Sequence, residues 1–389
     1  MCKSGCHGHV ASDAMNSRFR IPLAVPFHST ELENAVLAVI RSGWWVAGKS
    51  VAEFEAKLCL RTGRKYAIVV SSGTAALLSA MVSMGVGPQS TVVVPAFTFP
   101  AAASVAAFLG ARVQLCDVNT KTFNISEKTL LDVLDDTVSL VVAIDQFGSP
   151  CPAGRFEEMC SERGIPLLVD AACSLGSTLL NRSCGGFGDA SVFSFHPRKI
   201  ISSGEGGAVL TDDERIASRV RQFRNIGIKN GRFESIGLNL RPSEMGAAMA
   251  GVQLDHLDEI VAHRQFLAEI YTALPFALQQ PLDGAKMNYQ SLVSVLPERR
   301  KNGEPFVRSD RDALVTYLAS CGIEAQPASF HLPEIDWLAE GSTEDNSQLS
   351  GSARLVEIAV TLPMHGCMTA SDAREVVEKC ARWMNEIGG

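Results

Sequence analysis

The sequence predicts an α/β fold: a large domain of alternating strands and helices, followed by a smaller α+β domain. Three observations carry that prediction. Between residues 29 and 255, short apolar runs of β-forming composition alternate with segments of helical apolar spacing, the order expected of strands covered by helices. From Ser243 onward Met245, Met249, Val252, Leu254, Leu257 and Ile260 recur at helical spacing, which predicts one long connector into a second unit. At 389 residues, 46% hydrophobic and 20% charged, the chain is long enough for two units around a substantial core. The expected divisions are an arm over 1–28, the α/β domain over 29–255 and the small domain over 256–389.

The elements follow in order. Residues 67–70 (AIVV) read as a strand running into Ser71-Ser72-Gly73-Thr74, a small-residue turn that opens a helix. Residues 91–111 lack any charge, but Pro95, Pro100 and a β-like start favour a buried strand, a loop and a helix over a membrane span. Residues 165–170 (IPLLVD) form an apolar strand that ends in a carboxylate. A second apolar strand at 190–195 is followed by the Gly-rich turn 202–207 and a further strand at 208–211. Residues 281–286 and 340–352 read as loops.

Lys199 sits between the strand at 190–195 and that Gly-rich turn. It is held in a tight loop, and a constrained amine away from bulk water can attack a carbonyl as a covalent catalyst. Ser194 is placed to offer a hydroxyl to a phosphate. Open α/β sheets bind ligands beyond the carboxyl ends of their strands, so Asp170 is aimed at a ligand. A carboxylate there keeps a pyridine nitrogen protonated, and the protonated ring can draw electrons from a carbanion, as pyridoxal phosphate chemistry requires. Backbone N–H groups at the helix opened by Gly73 and Thr74 can bind phosphate. Singly, a lysine beside a turn is most often a solvated surface residue, and a Ser-Gly-Thr turn is most often a cap. Together, the turn, Asp170, Ser194 and Lys199 are specific.

Composition excludes other classes. A net charge of −7 argues against nucleic acid as the main partner, since phosphate-backbone binding needs clustered Lys and Arg. No cleavable signal is expected in residues 1–20, which lack an apolar core. The 11 cysteines are scattered, odd in number and without a CxxC pair, which fits reduced thiols in a cytoplasmic enzyme. Cys2, Cys6, His7 and His9 cluster near the start, but their spacing matches no structural zinc motif, and no metal is assigned.

The motifs resemble the DegT/DnrJ/EryC1/StrS family of pyridoxal 5′-phosphate (PLP) enzymes, known for aminotransferases acting on nucleotide-linked keto-sugars in amino-sugar biosynthesis. The resemblance opens with SGWWVAG at 42–48 and VAEFE at 51–55. It continues through 71–77, PAFTF at 95–99, FGSP at 147–150, DAA at 170–172 and the Lys199 segment, and ends with GLNLRPSE at 237–244 and LPMH at 362–365. It implies an aspartate-aminotransferase-like fold with a large mixed-sheet domain. It further implies Lys199 as the Schiff-base lysine, Asp170 as the pyridinium partner and Phe99 as the ring-stacking aromatic. Gly73, Thr74 and Ser194 match the phosphate cup. Asn239 matches a residue that reaches the phosphate from the neighbouring subunit, which implies a homodimer with shared active sites. Trp45 and His331 fall on the substrate side, although Trp45 is most simply explained as a packing anchor and a packed or solvated loop histidine explains His331 as readily.

Two positions depart from the family pattern. Cys173 stands where many members carry Gln or His near the cofactor's phenolic oxygen, and a thiol is a weaker donor. Asp145 stands where many carry His. Both are expected near the cofactor or substrate face. The implied activity is transfer of an amino group from glutamate or glutamine to a keto-sugar or related polyol ketone. The family's dehydratase branch carries His in place of Lys199, so the lysine disfavours it. A catalytically silent regulatory protein would leave the joint presence of Asp170, Ser194 and Lys199 unexplained.

Overall fold

The computed structural model describes residues 18–339 and 348–387. Seven apolar runs form the large sheet: β1 (Tyr66–Val70), β2 (Thr91–Pro95), β3 (Arg112–Cys116), β4 (Val138–Ile144), β5 (Leu167–Asp170), β6 (Ala190–Ser194) and β7 (Gly207–Thr211). Their order across the sheet is β1, β7, β6, β5, β4, β2, β3. Only β7 runs against its neighbours, and every other pairing is parallel. The remaining strands therefore place their carboxyl ends along one edge. Val93, Val141, Val142, Leu168 and Val169 are fully enclosed, because helices cover both faces, and this is why the strands read as continuous apolar runs rather than alternating ones.

Local chemistry sets the helix starts. In α1 (Thr30–Ser42) the Ser29 hydroxyl accepts from the Leu32 N–H, and Gly43 at φ 70° closes the other end. For α2 (Lys49–Thr62) the cap comes from far along the chain. The Glu244 carboxylate accepts the N–H groups of Gly48 and Ser50 at 2.7 Å each and of Val51 at 3.2 Å, the negative charge a helix start favours. Ser72 caps α3 (Gly73–Ser83) by accepting from Ala75 N at 3.0 Å. The uncharged stretch 91–111 becomes β2, the short strand Phe97–Thr98 and α4 (Ala101–Phe108). Among the described residues, no helix is long and apolar enough to cross a membrane.

The long connector expected from Ser243 is two helices, α5 (Glu244–Asp255) and α6 (Leu257–Tyr271), which meet at His256 with φ −95° and ψ 6°. Beyond it a second core gathers Leu267, Tyr271, Phe306, Leu318, Leu362 and Trp383. This core packs on an antiparallel sheet of β8 (Ala277–Leu278), β9 (Leu292–Val295), β10 (Gln326–Pro327) and β11 (Ala359–Leu362), in the order β8, β9, β11, β10. Helices α7 (Arg308–Ser320), α8 (Ser350–Ile358) and α9 (Ala370–Ile387) complete this half. Ile21 joins the same core and bridges Ile323, and Leu23 N donates to Glu324 at 2.8 Å.

Two predicted loops hold regular structure. Helix α8 starts at Ser350, inside the 340–352 segment, because the Asp117 carboxylate accepts the N–H groups of Gly351 and Ser352 at 2.9 and 2.8 Å. Residues Ala285–Lys286, at the end of the 281–286 segment, pair with Thr178–Leu179.

Candidate active site

The register of the large sheet sets Val70, Gly207 and Ser194 abreast at the carboxyl edge. Gly207 is the first residue of β7, and a Cβ there would lie 2.4 Å from the Ser72 carbonyl oxygen. Its lack of a side chain lets the turn after β1 close over the sheet. A Cβ on Gly73 would stand 2.8 Å from the Ser194 Cβ and 2.9 Å from its Oγ, so the Ser194 hydroxyl lies against the first turn of α3. The N–H groups of Gly73 and Thr74 precede the first intrahelical bond and, with the helix dipole, favour an anion at this point.

Asp170 ends β5 and is 8% exposed. Its Oδ1 accepts from Ala172 N at 3.0 Å. No hydrogen bond within the described chain engages Oδ2, which leaves that oxygen for a ligand. Burial pushes the Asp170 carboxyl up to about 6, against the opposing pull of the Ala172 N–H and the Lys199 charge, and a nearby Asp145 charge adds to the rise.

Lys199 follows β6 through a tight turn in which its N–H donates to His196 O at 2.8 Å. The chain then folds back, with Ser203 N on Phe195 O at 2.9 Å and Phe195 N on Gly206 O at 2.8 Å. Lys199 Nζ donates to Cys173 Sγ at 3.1 Å. Cys173 is held in turn by Asn288, whose Nδ2 donates to the carbonyls of Cys173 and Leu175 at 2.9 Å each. Asp170, Cys173 and Lys199 therefore meet in one place, beside the Gly73 and Ser194 edge. Asn288 and Ser174 belong to this support, and sequence reasoning missed both because neither sits in a recognisable turn or strand-end motif.

The other expected residues lie outside this cluster. Phe99 follows Phe97–Thr98 and is 66% exposed, its ring 6.2 Å from that of Phe330. The strand Phe330–His331 pairs antiparallel with Phe97–Thr98. His331 Nδ1 lies 2.6 Å from Ser352 Oγ, and burial lowers the imidazole's proton affinity. Trp45 belongs to the α1–α2 connection, where its Nε1 donates to Ile40 O at 3.4 Å and its carbonyl accepts from Glu244 N at 2.9 Å. Asn239 is exposed and bridges Asn225 through the backbone. The next residue, Leu240, accepts from Ser71 N at 2.9 Å, which ties this segment to the turn after β1.

Asp145 lies beside Asp170, to whose carbonyl its N–H donates at 3.0 Å, and it is 2% exposed. Ile144 pairs with Asp170 in the sheet, and the chain then turns inward beneath residues 170–174. There the Ser174 hydroxyl donates to Asp145 Oδ2 at 2.6 Å and Cys151 N donates to Oδ1 at 2.8 Å.

The donor set fits pyridoxal phosphate. A glycine-lined helix start with an adjoining hydroxyl suits the phosphate, a buried carboxylate with one unengaged oxygen suits the ring nitrogen, and a constrained lysine suits the aldehyde. Among the described residues, no group of three or more His, Cys, Asp or Glu could hold a metal ion. Cys2, Cys6, His7 and His9 lie outside the described residues.

Comparison with known proteins agrees with this geometry. The chain is 28% identical over 369 residues to GDP-perosamine synthase of Caulobacter vibrioides, spanning 92% of this chain and 96% of that protein. The aminotransferase TlmJ of Streptoalloteichus hindustanus is 28% identical and superimposes with a TM-score of 0.87, covering 95% of this chain and all (100%) of that one. A GDP-4-keto-6-deoxymannose-3-dehydratase solved with a trapped PLP-glutamate geminal diamine shares the fold at 22% identity and a TM-score of 0.84, over 92% of this chain and 100% of that one. Residues 27–381 match a single family. With its fold, its lysine pocket and that match in agreement, the chain belongs to the DegT/DnrJ/EryC1/StrS aminotransferase family of PLP-dependent enzymes.

Proposed function

We propose that this aminotransferase takes its amino group from glutamate or glutamine and delivers it to a keto-sugar carried on a nucleotide, with Lys199 and Asp170 as its catalytic residues. The observation that carries the proposal is the meeting of Lys199 Nζ with Cys173 Sγ at 3.1 Å, next to the enclosed Asp170. GDP-perosamine synthase, at 28% identity over nearly the whole chain, supports the acceptor class. Lys199 itself argues against the dehydratase branch.

Bound pyridoxal phosphate supplies an electron sink for the carbanion formed on the donor. The chain's residues do the rest. The Gly73 and Thr74 N–H groups and the Ser194 hydroxyl bind the phosphate. Asp170 Oδ2 holds the proton on the ring nitrogen. Lys199 Nζ would hold the cofactor's aldehyde and, as a free amine, would take up the proton from the donor's α-carbon. Phe99 would stack on the ring, Cys173 would offer a weak donor near the phenolic oxygen, and Trp45 and His331 would serve the substrate side.

The proposal includes a homodimer in the cytoplasm. Trp44, Phe233 and Ile236 are 64%, 75% and 89% exposed, apolar surface of the kind that a second copy would cover. Asn239 lies in the same stretch as Phe233 and Ile236 and makes no side-chain hydrogen bond among the described residues, which supports its reaching a neighbour's phosphate. The nine described cysteines are free thiols, in keeping with a reducing compartment. The proposed division is an arm (1–28), a cofactor domain (29–255) and a small domain (256–389). The separate core of Leu267, Tyr271, Phe306 and Trp383 supports the small domain, while Leu332, Leu338 and Leu349 return to pack in the large core and Ile21 of the arm packs in the small one.

Absorbance provides the test. Glutamate or glutamine should bleach the cofactor's long-wavelength band, and a nucleotide-linked keto-sugar should restore it. Absence of bleaching with either donor rejects the donor assignment. Bleaching without recovery across a panel of such keto-sugars rejects the acceptor class.

A further inference from the structure

We propose that Gln253 and Gln290 are positioning residues for Lys199, two enclosed amides that hold the backbone of its turn before and after the lysine and so fix where Nζ acts. The inference rests on the reading of Lys199 as the covalent lysine.

The turn satisfies little of its own backbone. From Phe195 to Ser203 its internal backbone bonds run from Lys199 N to His196 O at 2.8 Å and from Ser203 N to Phe195 O at 2.9 Å. The other directed bonds to its peptide groups come largely from glutamines. Gln290 Nε2 donates to the Arg198 carbonyl at 2.7 Å, on the peptide that enters Lys199. Gln253 takes both backbone groups of Ser202, accepting its N–H on Oε1 at 3.0 Å and donating from Nε2 to its carbonyl at 2.6 Å. Lys199 lies between these two pinned residues. Ile200 and Ile201 are buried and anchor the same turn by packing, but apolar contact is non-directional and does not orient a peptide plane.

Both amides are themselves fixed. Gln253, on α5, is 1% exposed, and its Nε2 also donates to the Met249 carbonyl at 2.9 Å. Gln290 is 8% exposed. Its N–H donates to Asn288 Oδ1 at 2.8 Å, its carbonyl accepts from Arg264 Nη1 at 3.2 Å, and its Oε1 accepts the Ser291 hydroxyl at 3.2 Å. A carbonyl only accepts and an N–H only donates, so the partners settle which way each amide faces. A glutamine amide carries no charge, and its hold on the turn does not depend on a protonation state.

The same segment reaches the other half of the lysine pocket. Asn288 Nδ2 donates to the carbonyls of Cys173 and Leu175 at 2.9 Å each. One short stretch, 288–290, therefore holds both the turn that bears Cys173 and the turn that bears Lys199, whose side chains meet at 3.1 Å. That stretch leads into β9 of the smaller half. The spacing of two side chains in the large domain is thus set by the segment that enters the small one. Lys199 has to reach two atoms in turn, the cofactor's aldehyde carbon and the donor's α-proton, and a misplacement of about 1 Å can cost about a hundredfold in rate.

The test uses the full chain with Gln290→Met and Gln253→Met, which keep the reach of the side chain and remove its amide. Hydrogen exchange read by mass spectrometry is applied to the cofactor-free proteins. In each variant residues 195–203 should exchange at least about fivefold faster than in the unaltered chain, while β4 and β5 stay unchanged. The loaded proteins are then mixed with glutamate or glutamine in single turnovers. The rate constant of the amino-donor half-reaction should fall about tenfold, with the donor Kd within about twofold. A role in stability alone would lower the amount of active enzyme and leave that rate constant intact. Unchanged exchange in the folded variants overturns the proposal, and so does faster exchange with an unchanged rate constant. If neither variant folds, exchange at 195–203 in the unaltered chain as fast as in an unfolded peptide overturns it. Borohydride labelling of a lysine other than Lys199 in the unaltered protein would reject the Lys199 reading and the proposal with it, whatever the exchange rates.

Discussion

Gly73 and Ser194 share one slot at the edge of the large sheet, so close that a Cβ on the glycine would lie 2.8 Å from that of the serine. Nothing larger than hydrogen fits at 73 without moving β6 or α3. Gly73→Val should therefore weaken pyridoxal phosphate binding more than about tenfold, since a side chain there displaces the Ser194 hydroxyl. Cofactor titration followed by fluorescence reads this directly, and unchanged affinity would show that the slot is not the phosphate site.

Lys199→Ala should abolish both covalent attachment and turnover. Borohydride reduction of the loaded enzyme followed by peptide mapping should place the pyridoxyl group on Lys199. A label on any other lysine refutes the assignment.

Asp170 makes the stability of the cofactor-free chain depend on pH. Its folded value of about 6 lies above the usual aspartate value of 3.8, so the folded chain holds this proton more tightly than the unfolded chain. The associated stability is fully present below about pH 4 and is lost as pH rises through 6, a loss of roughly 3 kcal/mol at most. Asp170→Asn carries no such charge. In denaturant titrations without cofactor, this variant should gain on the unaltered chain between pH 4 and pH 7.5. A difference that stays constant over that range would mean that Asp170 does not titrate there. With cofactor bound, the same variant should slow the amino-donor half-reaction by at least tenfold, since a lost charge-assisted bond is worth roughly 1.5–3 kcal/mol.

Mixing two inactive variants tests the shared site. Lys199→Ala removes the amine, and Asn239→Asp sets a carboxylate against the phosphate. If Asn239 serves the neighbouring subunit, a mixed dimer has one pocket with both lesions and one with neither, and it should recover up to about half of the activity. If Asn239 serves its own chain, every pocket keeps one lesion. No recovery despite confirmed subunit exchange would then reject the cross-subunit role.

The sequence makes Asp170, Ser194 and Lys199 legible for a common reason. Each lies at or just past the end of an apolar run, and the parallel sheet brings those ends to one edge. What stayed hidden depends on partners distant in the chain. Asp117 starts α8 from more than 230 residues away, and Glu244 caps α2 across about 195 residues. No local pattern reports such a cap. The break at His256 was equally silent, since the apolar spacing runs from Val252 through Tyr271 without a Gly or Pro. The burial of Asp145 was hidden as well, because its strand end resembles the others and only the turn after Ile144 sets its side chain against Ser174 and Cys151.

Strand β7 carries one more consequence. It lies between β1 and β6 and pairs antiparallel with both, so the Ser72–Gly73 turn and Ser194 become neighbours only after a strand from 207–211 has threaded between segments more than 120 residues apart. Non-local pairings of this kind form late in folding because loop closure precedes their reward. A nascent chain released short of residue 211 holds most of the site's side chains yet lacks the strand that aligns them. A phosphate held between the Ser72–Gly73 turn and Ser194 would therefore report that β1, β6 and β7 have come together.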